Sequence, residues 1–138
     1  MTVLIVEDEE RAARRLARMV KELFPEVELK PSLAGVSESV KWLKANEDPN
    51  IILMDIELAD GKSFDIFDKY TPKSHIIFCT AFDQYALEAF KHQGVAYLLK
   101  PIKKEELKAA IEKALKQSAA GIDYDLLAQA ISRKEGQY

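Results

Sequence analysis

Apolar residues gather in four short, nearly unbroken runs at 3–6, 51–54, 75–79 and 95–99, each of strand length and rich in Val, Ile and Leu, as fully buried strands are. A weaker run at 27–29 reads as an edge strand. Between the runs the spacing changes to that of a helix. Ala13, Leu16, Ala17, Val20 and Leu23 share one face, as do Val36, Val40 and Leu43, and later Leu107, Ala110, Ile111, Ala114 and Leu115. Shorter helices at 64–70, opened by a turn containing Gly61, and at 85–90, stopped by Gly94, complete an alternation of five strands with five helices. Helix-length connections join parallel strands by right-handed crossovers, so the pattern predicts a parallel sheet covered on both faces, a doubly wound α/β domain.

The ends of the runs carry the chemistry. Leu4-Ile5-Val6 stops in Glu7-Asp8, Ile52-Leu53-Met54 stops in Asp55, Thr80 follows Cys79, and Lys100-Pro101 follows Leu99. Ligands of open α/β sheets bind beyond the carboxyl ends of the strands, where these five polar groups converge. Clustered carboxylates repel and raise one another's pKa, a cost that a hard, oxygen-seeking Mg²⁺ removes. An ammonium beside them can bridge a carboxylate and the oxygens of an incoming phosphoryl group. Each residue alone has an ordinary role: Asp8 as a helix N-cap ahead of Glu9 and Glu10, Thr80 as a turn former, Lys100 as a solvated cation. Their conjunction at one edge favours a magnesium and phosphoryl site.

Composition narrows the class. With 138 residues, 48% apolar and 31% charged, the chain can bury one core and falls in the single-domain range. A net charge of -3 and a pI near 5.5 give no general attraction to nucleic acid or anionic membrane. Cys79 is the single cysteine, which excludes an intrachain disulfide or a cysteine-rich zinc site and fits a reducing compartment. The start has no basic and apolar leader pattern, and no run approaches the roughly 18 apolar residues of a spanning helix, so a cytoplasmic location without membrane contact is expected. His75 and His92 lack companion ligands, and Cys79 and Trp42 read as packing residues. Lys103 and Lys104 run straight into Glu105 and Glu106, a solvated helix start.

Four stretches taken in order, Val6-Glu7-Asp8-Glu9, Asp55-Ile56-Glu57-Leu58, Thr80-Ala81 and Tyr97-Leu98-Leu99-Lys100-Pro101, resemble the receiver domain of two-component response regulators over residues 1–118. The stretches 60–65 and 81–90 further resemble its LytTR-type branch. The resemblance implies a flavodoxin-like sheet of order 2-1-3-4-5 and names Asp55 as phosphoacceptor. Glu7, Asp8, Asp55 and the backbone carbonyl of Glu57 would hold Mg²⁺, Glu7 as a second-rank ligand acting through water. Thr80 and Lys100 would bind the phosphoryl oxygens, and Tyr97 would be the switch aromatic that swings inward as the threonine is drawn to the phosphate. The donor would be a phosphohistidine of a sensor histidine kinase, and the chain a signalling domain whose labelling and reset are self-catalysed. Ala59 departs from the family, which often has proline there to stiffen the loop.

Residues 119–138 read as a linker or a short C-terminal helix, at 122–131, of the kind that leads to a DNA-binding output domain, absent here; DNA would be reached only through that domain. On the first helix, Ala12, Arg15 and Met19 form a stripe off the core face, expected to select the kinase. The fourth helix, fifth strand and fifth helix, with Phe82, Tyr85 and Tyr97, are expected to form an output face able to pair two copies. The enzymatic alternative is a Mg²⁺-dependent Asp-nucleophile phosphohydrolase with Glu57 as its acid/base.

Overall fold

The computed structural model describes residues 1–92 and 94–117; the helix expected at 122–131 lies outside them. The elements run β1 (Thr2–Val6), α1 (Glu10–Leu23), β2 (Glu28–Leu29), α2 (Val36–Ala45), β3 (Ile51–Met54), β4 (Glu57–Leu58), β5 (Gly61–Lys62), α3 (Phe64–Phe67), β6 (His75–Thr80), α4 (Ala86–Lys91), β7 (Gly94–Leu99) and α5 (Lys104–Lys116). Five strands form a parallel sheet in the order β2-β1-β3-β6-β7, which is the expected 2-1-3-4-5 once the small β4-β5 hairpin is set aside.

Because strand side chains alternate across the sheet, each apolar run feeds two cores. Val3, Ile5, Leu53, Ile77 and Cys79 pack beneath α1 and α5, against Leu16, Val20, Leu107 and Ile111. Leu4, Val6, Ile52, Met54, Ile76 and Phe78 pack on the other face against Val36, Val40 and Leu43 of α2 and against Ile66 and Ala89. Burying each large aliphatic side chain contributes about 1.5–3 kcal/mol, so the double use of β1, β3, β6 and β7 explains how so short a chain holds a five-stranded sheet. Trp42 packs partly against the second core, and Cys79 is buried, as expected.

Register places the site. Val6 lies opposite Met54, Met54 opposite Phe78, and Thr80 opposite Leu99. Glu7, Asp55 and Lys100 each follow one of these paired strands, so they leave the sheet at the same edge.

Several expectations change. Met19 is buried at 8% exposure, because it lies one turn beyond Leu16 and enters the first core. Leu115, expected in the core, is 50% exposed at the last turn of α5. Gly94 opens β7, whereas α4 already ends at Lys91. The expected turn containing Gly61 is part of a two-stranded hairpin over residues 57–62, with Gly61 at φ 142°, a backbone conformation that a Cβ would strain. Among the described residues no helix is long and apolar enough to cross a membrane.

Candidate functional site

At the carboxyl edge of the sheet, oxygens of Glu7, Asp8 and Asp55 lie within 4.8 Å of one another. Glu7 and Asp55 are buried and Asp8 is exposed, so the cluster opens to solvent on the Asp8 side. Backbone bonds set the two buried acids side by side: Asp55 N–H donates to the Val6 carbonyl at 2.9 Å, and Glu7 N–H donates to the Leu33 carbonyl at 2.9 Å. Lys100 Nζ reaches Glu7 Oε1 at 2.5 Å and Asp55 Oδ2 at 2.8 Å, one ammonium shared by two carboxylates. The other Asp55 oxygen accepts Ile56 N–H at 2.7 Å, and Glu7 Oε2 accepts Glu9 N–H at 3.2 Å. The Lys100–Pro101 peptide is cis.

Burial pushes the Glu7 carboxyl above its ordinary value; the Lys100 hydrogen bond opposes that rise, and the nearby Asp55 charge adds to it. Burial works against the charged form of Lys100, yet its hydrogen bonds and attraction to Asp55 and Glu7 prevail, and its pKa is raised. Lys100 is therefore a fixed cation beside an acid that is costly to ionise. Cys79, in the adjacent strand, is pushed up to about 12, chiefly by burial and then by the Asp55 charge, so it supplies no thiolate.

The donor set suits a hard divalent cation, all oxygen, with more negative charge than one lysine balances. Asp8 is not the N-cap of α1; that position is Glu9, and no side chain closes it. The capping role for Asp8 is thereby removed. Glu7 is already engaged by Lys100 and by Glu9 N–H.

Thr80 and Lys100 adjoin through the sheet, Lys100 N–H donating to the Thr80 carbonyl at 2.8 Å. Thr80 is fully buried, and its hydroxyl oxygen accepts Phe82 N–H at 3.3 Å, so here it does form the turn. Tyr97 is buried and its hydroxyl donates to the Phe82 carbonyl. The Phe82 residue thus touches both groups, and Tyr97 occupies an inward position instead of lying on the output face. Phe82 itself is 37% exposed.

Glu57 is exposed two residues past Asp55, and its carboxylate accepts the Tyr85 hydroxyl at 2.8 Å. Its side chain is therefore held by Tyr85, outside the acid cluster. On α1, Ala12 is half-buried and Arg15 exposed, with an Arg15 Nη atom donating to the Ile102 carbonyl at 3.1 Å. Met19 does not join them, as its burial shows. The residue missed in the sequence is Asp60: its carboxylate accepts Val36 N–H at 2.7 Å and Ser37 N–H at 3.1 Å, capping α2 from the hairpin tip. Only the turn-like Ala59-Asp60-Gly61 composition hinted at it.

The family model for the response regulator receiver domain matches residues 3–112. The positive alginate biosynthesis regulatory protein of Pseudomonas aeruginosa is 40% identical over 118 residues, 83% of this chain and 47% of that protein. The sensory transduction protein LytT of Enterococcus faecalis is 34% identical over 125 residues, 88% of this chain and 51% of that protein. The chain thus spans about half the length of these relatives. Among solved structures, the response regulatory domain of protein mrkE from Klebsiella pneumoniae superposes with a TM-score of 0.74 at 26% identity, covering 83% of this chain and 95% of that one.

Proposed function

This chain belongs to the response regulator receiver domain family, in the branch of the LytT-type regulators, and from that premise we propose that Asp55 is its phosphoacceptor. The observation that carries this is the single ammonium of Lys100 bound to both Glu7 and Asp55 inside a three-carboxylate cluster. An Asp55 oxygen attacks phosphorus in line; the new O–P bond forms as the bond to the donor nitrogen of a phosphohistidine breaks, and the electron pair leaves with the imidazole. Lys100 lies where charge on the transferred oxygens needs compensation, and Ile56 N–H fixes the orientation of the carboxylate.

Asp8, Asp55 and the Glu57 carbonyl would hold Mg²⁺, with Glu7 in support. When bound, that ion neutralises the clustered carboxylates and the developing phosphoryl charge. The Thr80 hydroxyl leaves Phe82 N–H for a phosphoryl oxygen, and the Phe82 segment, which also receives the Tyr97 hydroxyl, carries the change outward. The Asp-nucleophile phosphohydrolase is not favoured: the family is that of receivers, and the Glu57 carboxylate it would need is bound to Tyr85.

Response regulators work with sensor histidine kinases and output domains. The exposed part of α1, with Ala12 and Arg15, would receive the kinase. Exposed Leu87, Leu99 and Leu115 on α4, β7 and α5 support a homodimer through that face, and residues 119–138 would lead to an output segment acting on transcription. The lone buried cysteine suits the cytoplasm. Sedimentation with and without beryllofluoride checks the dimer, which a monomer mass in both states across a concentration series would reject. For the acceptor, intact mass after incubation with acetyl phosphate and Mg²⁺ should show one phosphoryl group per chain in the wild type and none in Asp55→Asn; equal labelling of both, or multiple turnover of a phosphomonoester, would refute it.

A further inference from the structure

The hairpin that follows Asp55 is fastened at both ends. Glu57 pairs with Lys62 and Leu58 with Gly61, leaving Ala59 and Asp60 as a two-residue tip. At the base, Ser63 N–H donates to the Ile56 carbonyl at 2.8 Å. At the tip, the two Asp60 oxygens take Val36 N–H and Ser37 N–H at 2.7 and 3.1 Å, across 24 and 23 residues of chain. The N-cap residue of α2 is Gly35, which has no side chain to do this. The Val36 and Ser37 amides hold the Asp60 carboxyl below its ordinary value.

We propose that Asp60 is a positioning residue for phosphoryl acceptance, a latch that holds the 56–62 hairpin against α2 so that Ile56 N–H stays aimed at Asp55. It rests on Asp55 being the acceptor. The connection is short: Asp55 Oδ1 is oriented by Ile56 N–H at 2.7 Å, the Ile56 carbonyl is tied to Ser63, and the hairpin between those two residues is anchored to the rest of the fold through Asp60. The family often has proline in this loop; with Ala59 there, stiffness comes instead from the hairpin pairing and the latch.

A mere helix cap would affect stability alone, and a second aspartate provides the control. Asp48 also accepts two hydrogen bonds, from the Tyr70 hydroxyl at 2.6 Å and Lys73 N–H at 2.8 Å, but it lies ahead of β3, at the opposite edge of the sheet. Gly35 provides a second probe: its backbone, at φ −149° and ψ 172°, accepts alanine, yet a Cβ there would stand 2.8 Å from Asp60 Oδ1 and displace the carboxylate without removing its charge.

The test is the time course of intact mass with acetyl phosphate and Mg²⁺ on the full chain, alongside melting curves. Misplacing a reacting group by ~1 Å costs up to ~100-fold, so Asp60→Ala and Gly35→Ala should slow labelling about ten-fold. Asp60→Asn, which keeps one acceptor oxygen, should recover part of the loss. Asp48→Ala should melt earlier than wild type and label at the wild-type rate. Labelling of Asp60→Ala and Gly35→Ala at the Asp48→Ala rate would overturn the latch while leaving Asp55 as acceptor. A wild-type chain that takes no phosphoryl group would remove the acceptor itself and the latch with it. If Asp60→Ala shows no cooperative melt, Gly35→Ala decides.

Discussion

At the amino edge of the sheet, polar side chains are matched to partners of the opposite hydrogen-bonding kind: Asn50 Oδ1 accepts Thr2 N–H at 2.8 Å and the Thr2 hydroxyl at 3.0 Å, while Asp48 closes on Tyr70 and Lys73. At the carboxyl edge, two buried carboxylates share the Lys100 ammonium, and the exposed Asp8 carboxylate stands beside them. The same strands run through both edges, so the contrast does not come from the fold. Satisfied pairs pin a structure; crowded like charges destabilise it, and a bound cation relieves them.

The sharpest way to break this contrast is at Lys100. Replacing it with alanine should cut labelling of Asp55 by about 10²–10³-fold, the usual effect of losing one electrostatic donor at a developing charge, as read from the mass time course. Mg²⁺ at about 100 times its dissociation constant should stabilise the wild type by about 2.7 kcal/mol and leave Asp8→Asn far less affected, as read from chemical unfolding. At the other edge, Asp48→Ala should cost about 1 kcal/mol by removing the acceptor of the Tyr70 and Lys73 hydrogen bonds, with no change in Mg²⁺ response. Asp55→Asn should change stability without Mg²⁺ least of these variants, because lost attraction to Lys100, which keeps Glu7, is offset by lost repulsion from Glu7.

The smallest effects are in pH. Asp60 has its carboxyl lowered from 3.8 by the Val36 and Ser37 amides, so its contribution is present above that value and lost as pH falls through the lower folded one. Tyr70 has its phenol raised from 10.0 by the Asp48 hydrogen bond, so its contribution is present below that value and lost as pH rises through the higher folded one. In melting midpoints against pH, Asp60→Ala should flatten the acid limb and Asp48→Ala the alkaline limb. Unchanged limbs in both variants would mean that these bonds do not persist in solution.

The edge that gathers the acids with Lys100 was legible because burial and register are sequence-periodic: apolar runs of strand length ended in Asp8, Asp55, Thr80 and Lys100, and parallel pairing brought those ends together. What escaped was whatever depended on a wider face or a longer reach. Met19 read as exposed because the helical stripe through Leu16 and Val20 was drawn too narrow for a helix packed on the sheet beside α5. Leu115 fits the stripe of α5 but lies at the helix end, 50% exposed. Two-residue strands such as β4 and β5 are too short to show a period, and a cap supplied from 24 residues away leaves no local trace. The backbone bonds that make Phe82 a junction between Thr80 and Tyr97 are equally silent in a side-chain pattern.

A crystal structure of the chain with Mg²⁺ and beryllofluoride would be decisive for the gathered site. The expected result is the fluoride complex on an Asp55 oxygen, the ion touching Asp8 and Asp55, Lys100 Nζ moved from Glu7 onto fluorine, and the Thr80 hydroxyl released from Phe82 N–H. Beryllofluoride and Mg²⁺ bound away from Asp55, with Lys100 still clasping Glu7 and Asp55 together, would contradict it.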